Sequence, residues 1–140
     1  MAKQTSSYKQ ALYNNALPDK GKEMKYRILV VDDEADICLL LSSILKRLGH
    51  EVICSHTLAE GKSDFLSFGP DLMFMDINLP DGNGLEEVSS FQDLNHDVRI
   101  IMISAYDFPQ EIKKTEQLNL TLLRKPFNRE KIIQAIKPLN

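Results

Sequence analysis

Apolar runs recur along this chain with room for a helix between them, and four of them stop at residues able to carry chemistry. Ile28-Leu29-Val30-Val31 leads into Asp32-Asp33, and Leu72-Met73-Phe74-Met75 into Asp76. Ile100-Ile101-Met102-Ile103 ends at Ser104, and Leu120-Thr121-Leu122-Leu123-Arg124 at Lys125. In an open parallel sheet, ligands bind in the crevice beyond the carboxyl ends of the strands. If these runs are strands of one such sheet, three carboxylates, a hydroxyl and an ammonium meet at one edge, although 93 residues separate Asp32 from Lys125. That set of groups suits a hard cation beside a phosphoryl group.

The segments between the runs support the arrangement. Strands are expected over 27–31, 51–55, 71–75, 98–103 and 120–124. A helix is expected over 34–48, because Ile37, Leu40, Leu41, Ile44, Leu45 and Leu48 recur at helical spacing. Gly49 follows it in the position favoured for a left-handed cap. Thr57-Leu58-Ala59-Glu60 reads as a capping box opening a helix that ends near Phe68, before Gly69-Pro70. Leu79-Pro80-Asp81-Gly82-Asn83-Gly84 is turn chemistry, leading into a helix over 84–94. Asp107-Phe108-Pro109 starts a fourth helix, and Asn128 caps a fifth that carries Ile132, Ile133 and Ile136 on one face. Five strands alternating with five helices predict an α/β fold with a doubly wound parallel sheet.

Composition agrees with one domain. The chain has 140 residues, enough for a substantial core. No apolar stretch approaches the roughly 18 residues needed to span a bilayer, and Met1–Ser7 lacks the apolar segment of a secretory signal. Residues 1–25 are polar and are expected to form a flexible extension, with one short amphipathic turn through Tyr8, Ala11, Leu12, Tyr13 and Leu17; the domain proper is expected over 26–140. The net charge is −3; residues 1–26 carry +3, which leaves −6 on the body. No basic stripe with interleaved aromatics marks that body, so direct nucleic-acid binding is not expected. Cys38 and Cys54 have neither metal-ligand spacing nor scaffold density and are expected to be buried free thiols in a reducing cytoplasm.

Each landmark has a plainer reading. Asp32 or Asp33 alone would serve as a helix N-cap. Two adjacent carboxylates repel, however, and a divalent cation held between them and a third acid accounts for both. Mg²⁺ takes near-octahedral oxygen coordination, keeps several waters and uses one or two carboxylates. Asp33 and Asp76 suit direct ligands, Asp32 suits a metal-bound water, and a backbone carbonyl near Asn78 completes the set. A calcium-loop reading from Asp76 to Glu87 fails, because Pro80 stands fifth and Asp81 sixth, where Gly is required. Ser104 alone would satisfy a backbone group. Lys125 fits as a compact point charge for a carboxylate or phosphoryl oxygen, and Pro126 fixes the turn after it, through a trans or a cis bond.

Ile28-Leu29-Val30-Val31-Asp32-Asp33-Glu34, Met75-Asp76-Ile77-Asn78-Leu79-Pro80-Asp81-Gly82-Asn83-Gly84, Ile103-Ser104-Ala105 and Leu123-Arg124-Lys125-Pro126-Phe127, in that order, closely resemble the receiver domain of two-component response regulators. The resemblance covers residues 26–138 and implies the flavodoxin-like receiver fold. It implies that Asp76 accepts a phosphoryl group from a phosphohistidine of a histidine kinase or histidine phosphotransfer protein. Asp32 and Asp33 would organise Mg²⁺, Ser104 would hydrogen-bond the phosphoryl group, and Lys125 would pair with it. Asn78 and Tyr106 hold the positions where family members tune hydrolysis of the acyl phosphate. The fourth helix, fifth strand and fifth helix would form the face read by a downstream output protein or effector domain.

One position departs from the pattern. Receivers commonly carry Tyr or Phe three residues before the lysine, where this chain has Leu122, so an aromatic rotamer switch is in doubt. The alternatives are a pseudo-receiver acting without phosphorylation and a Mg²⁺-dependent phosphatase or other small α/β enzyme. Against the phosphatase, Asn78 stands where a second acid would follow Asp76.

Overall fold

The computed structural model describes residues 24–138. The expected extension and its short amphipathic turn therefore lie outside the described residues, apart from Met24 and Lys25, which belong to no helix or strand. The five apolar runs become strands β1 (Arg27–Val31), β2 (Glu51–Ser55), β3 (Leu72–Asp76), β4 (Arg99–Ser104) and β5 (Thr121–Arg124) of one parallel sheet, in the order β2-β1-β3-β4-β5. The intervening segments form α1 (Ala35–Arg47), α2 (Leu58–Phe68), α3 (Val88–Leu94), α4 (Pro109–Gln117) and α5 (Arg129–Ile136). The chain winds outward from β1 to β2, then returns to β3 and continues to β5. Between β1 and β3 the winding reverses, and such a switch point opens a crevice at the carboxyl ends of the strands.

Strand alternation divides the interior into two cores. Ile28 and Val30 of β1 join Phe74, Ile101 and Ile103 beneath Leu41 and Leu45 of α1 and Ile132 and Ile136 of α5. Leu29 and Val31 face the other way, joining Met73, Met75 and Met102 with Leu58 and Phe65 of α2 and Val88 and Phe91 of α3. β1 and β3 are therefore apolar on both faces, as expected for a central parallel strand.

Local signals hold, with informative shifts. α1 ends in a Schellman motif: Gly49 N donates to Lys46 O, His50 N donates to Leu45 O, and Gly49 has φ of 99°. Thr57 Oγ1 accepts from Glu60 N at 3.1 Å, but Glu60 reaches back to His56 N rather than Thr57 N. Asn128 caps α5 by accepting from Lys131 N at 2.9 Å. The helix expected over 84–94 opens with a 3-10 turn, Gly84–Glu87, because Asn83 Oδ1 accepts from both Leu85 N and Glu86 N.

β3 and β4 each begin and end one residue later than expected. Asp71 is drawn into a bridge, its carboxylate accepting from Arg27 N and its own N–H donating to Arg27 O. Asp76 and Ser104 consequently fall inside the ladder, opposite Ile103 and Arg124. The cysteine expectation also needs correction: Cys38 is buried, but Cys54 is only half-buried, on a strand at the sheet edge.

Candidate functional site

Asp32 follows β1 and its N–H donates to Ser55 O at 3.0 Å. Its side chain is fully buried. Oδ1 accepts from Glu34 N at 2.8 Å, while Oδ2 lies 3.1 Å from Lys125 Nζ as an ion pair without hydrogen-bond angles. Neither Asp32 nor Asp33 caps α1; Glu34 is its N-cap residue and makes no side-chain cap bond. Asp33 is exposed at the mouth.

Asp76 is the last residue of β3 and is buried. Its Oδ1 accepts from Asn78 N at 3.1 Å and its Oδ2 from Lys125 Nζ at 3.1 Å. Single carboxylate oxygens of Asp32, Asp33 and Asp76 lie within 4.8 Å of one another. Three hard oxygen donors this close, one offering Oδ2 free of hydrogen bonds, suit a small divalent cation.

Lys125 arrives from the far side of the sheet. Its backbone N–H donates to Ser104 O at 2.8 Å, and the Lys125-Pro126 bond is cis, one of the two states open from the sequence. Nζ pairs with Asp32, Asp76 and Glu34. Burial alone works against the ammonium, but Glu34, Asp76 and Asp32 outweigh it and hold Lys125 charged well above the usual lysine range. Burial pushes Asp32 up to about 6, with help from Asp76 and against the pull of the Glu34 amide and Lys125. Three carboxylates thus pair with a single ammonium while Asp33 stands beside two of them, and added positive charge would relieve the crowding.

Ser104 is buried at the end of β4, but its hydroxyl is occupied within its own loop. Oγ donates to Tyr106 O at 2.7 Å and accepts from Tyr106 N at 3.1 Å. Tyr106 is exposed and packs against Phe108, with ring centroids 5.4 Å apart. Leu122 is half-buried against the second core, opposite Met102 in the ladder.

Three residues that sequence reasoning missed complete the site. Glu34, read as the start of a helix, pairs with Lys125; its place as third in a run of acids was the available signal. Gly84, read as turn chemistry, passes against β3: a Cβ there would stand 2.2 Å from Asp76 O. Asp81 fixes the loop by accepting from Leu58 N and Ala59 N at the start of α2, at 2.8 and 3.0 Å. Asn78 lies in a two-residue ribbon, Asn78–Leu79 against Gly82–Asn83, at the rim above Asp76.

The family profile described as Response regulator receiver domain matches residues 28–137. The chain is 31% identical over 120 residues to the Chemotaxis protein CheY of Bacillus subtilis, spanning 84% of this chain and all of that protein. It is 27% identical over 115 residues to the Sporulation initiation phosphotransferase F of the same organism, spanning 81% and 93%. A solved CheY-like receiver domain from Methanospirillum hungatei superposes with a TM-score of 0.74 at 27% identity, covering 81% of this chain and 91% of that one. Sheet order, acidic crevice and family profile agree: the chain belongs to the response regulator receiver domains of two-component signalling.

Proposed function

We propose that Asp76 is the phosphoacceptor of this receiver, taking its phosphoryl group from a phosphohistidine of a partner histidine kinase or histidine phosphotransfer protein. The observation that carries the reading is the position of Lys125 Nζ, 3.1 Å from both Asp32 Oδ2 and Asp76 Oδ2, over a cluster of three carboxylates. Asp76 needs no general base, because a carboxylate already offers a lone pair. A carboxylate oxygen forms the new O–P bond as the P–N bond to histidine breaks, and the departing imidazole takes up a proton.

Positioning and charge stabilisation supply most of the catalysis in phosphoryl transfer. Lys125 neutralises one phosphoryl oxygen after loosening its hold on Glu34 and Asp32. Ser104 meets another once its hydroxyl leaves Tyr106. Asp33, Asp76 and a backbone carbonyl near Asn78, with Asp32 acting through a water, would hold Mg²⁺, which would neutralise charge on the transferring group. Asn78 and Tyr106 border the product and set access for hydrolytic water, so the only turnover is the domain's own phosphorylation and dephosphorylation.

The domain works in the cytoplasm, where such donors are met; among the described residues no helix is long and apolar enough to cross a membrane. Its output is a changed binding face made of α4, β5 and α5, read by a downstream protein or an attached effector. One relative is named a phosphotransferase, which supports a relay as one setting.

The test is intact mass after incubation with Mg²⁺ and acetyl phosphate. Wild type should gain one phosphoryl group, and Asp76→Asn none. Equal labelling of the two proteins would remove Asp76 from this role.

A further inference from the structure

Two thiols 16 residues apart in the chain meet between α1 and β2, directly behind Asp32. Cys54 Sγ lies 3.8 Å from Cys38 O and 3.4 Å from Ser42 Oγ, so it rests across one turn of α1. Cys38 Sγ donates to Asp32 O at 3.4 Å and lies 4.0 Å from His56 Nδ1, which itself stands 3.1 Å from the same carbonyl oxygen. Both cysteines are free; Cys38 is buried and Cys54 is half-open to solvent.

Cys54 Sγ therefore lies against the backbone of Cys38 itself. The neighbouring Cys38 side chain is the largest influence drawing Cys54 down; Ser42, His56 and Lys46 add to it against the effect of burial. The half-exposed Cys54 sulfur is the one a dissolved peroxide reaches, and buried Cys38 is held behind it as a second thiol. Reactive cysteines occupy such partly exposed, electropositive surroundings.

We infer that Cys38 and Cys54 form an oxidation site, at which a peroxide converts the pair to an intrachain disulfide linking α1 to β2. The Cys54 thiolate attacks a peroxide oxygen as the O–O bond breaks, and the departing hydroxide takes up the proton the thiol had shed, leaving a sulfenic acid and the first water. Cys38 sulfur then attacks the Cys54 sulfur, its proton leaves with the hydroxyl as a second water, and the S–S bond forms. Two thiols lose two electrons and two protons, and one peroxide is reduced to two waters. The linkage withdraws the Cys38 S–H from the carbonyl of Asp32, so the oxidised chain loses a donor to the loop that carries a cluster carboxylate. In a reducing compartment such a bond is transient, as expected of a sensor rather than a staple.

The experiment treats the full folded chain with hydrogen peroxide, alkylates remaining thiols after denaturation, and maps peptides without reduction. The expected result is loss of two hydrogens from the intact mass, protection of both cysteines, a Cys38–Cys54-linked peptide, and reversal by dithiothreitol. Cys38→Ser should leave a Cys54 sulfenic acid that dimedone traps, whereas Cys54→Ser should leave Cys38 unmodified. Both thiols still alkylated in wild type, or Cys54 carried to sulfinic acid while Cys38 stays free, would overturn the proposal. The disulfide should form equally in Asp76→Asn, so this test stands apart from the fate of the phosphoacceptor reading.

Discussion

The β1–β3 part of the sheet and its margin at β5 and α4 are built to different standards. β1 and β3 are almost wholly buried, α1 contributes Cys38, Leu41 and Leu45 to the core, and the carboxylates at their ends are tied to backbone N–H groups. On the other side β5 has one buried residue, Leu123, and α4 buries only Thr115. Tyr106, Phe108 and Leu118 flank α4 with 57%, 51% and 42% of their surface exposed. Charge concentrated at one point needs a frame that does not yield, because a small displacement changes every short-range interaction in it. A face that must answer that charge gains from shallow burial, since local rearrangement then costs little. The side chain linking the two regions is Lys125, supported by Ser104 O and charged against Asp32 and Asp76.

Gly84→Ala should disturb the rigid end most. The added methyl would stand 2.2 Å from Asp76 O and 3.2 Å from Met75 Cγ, and the first contact is with backbone in the central strand. Relief requires moving β3 or the turn that opens α3. Overpacking of this kind costs about 1–3 kcal/mol, occasionally more. The variant should lose that much in urea unfolding and label with acetyl phosphate at least about tenfold more slowly, because a displacement of about 1 Å at reacting groups has effects of that order or larger. A variant that unfolds and labels like wild type would show that the frame around Asp76 is softer than its burial implies.

That glycine also marks where sequence reading stopped. The apolar runs, Asp32, Asp76 and Lys125 were legible because strand period and strand ends are local properties, and parallel winding carries the ends to one edge. Cys38 meeting Cys54, Glu34 reaching Lys125 across 91 residues, and Gly84 pressing on Asp76 were not. Each depends on which side chains face each other once helices and strands are docked, and no local period encodes that. Ser104 was placed at the correct strand end, yet its hydroxyl is turned to Tyr106, a choice set by the loop rather than the strand.

Asp32→Asn sharpens the comparison from the electrostatic side. Folding raises Asp32 from 3.8 to about 6, so the folded chain holds that proton more tightly than the unfolded chain. Its contribution to stability is present below 3.8 and is lost as pH rises through about 6. At pH 7 without divalent cations, the carboxylate therefore destabilises the fold, and Asn should stabilise it by about 1–3 kcal/mol. The gain should shrink as pH falls toward 4. Added Mg²⁺ should raise the unfolding midpoint of wild type more than that of the variant, through preferential binding to the folded state. A variant less stable than wild type at pH 7 would mean that the attraction between Asp32 and Lys125 outweighs the cost of burying the charge.

The smallest effect belongs to the loose end, and its smallness is the point. Leu118 closes α4 with 42% of its surface in water, and its backbone N–H still donates to Lys114 O at 3.0 Å whatever side chain it carries. Leu118→Ala should therefore change stability by less than about 0.5 kcal/mol, the range of ordinary surface substitutions. A buried leucine such as Leu45 in α1 would cost about 2–5 kcal/mol on the same change. If Leu118→Ala costs that much too, α4 belongs to the same rigid frame as α1, and a response at that face has to come from motion of the whole sheet. If the cost stays small while hydrogen exchange in α4 outpaces that in α1, the helix opens on its own. Were phosphorylation to break the Ser104–Tyr106 bonds, as proposed, that would then be enough to shift it, because little apolar packing has to be broken first.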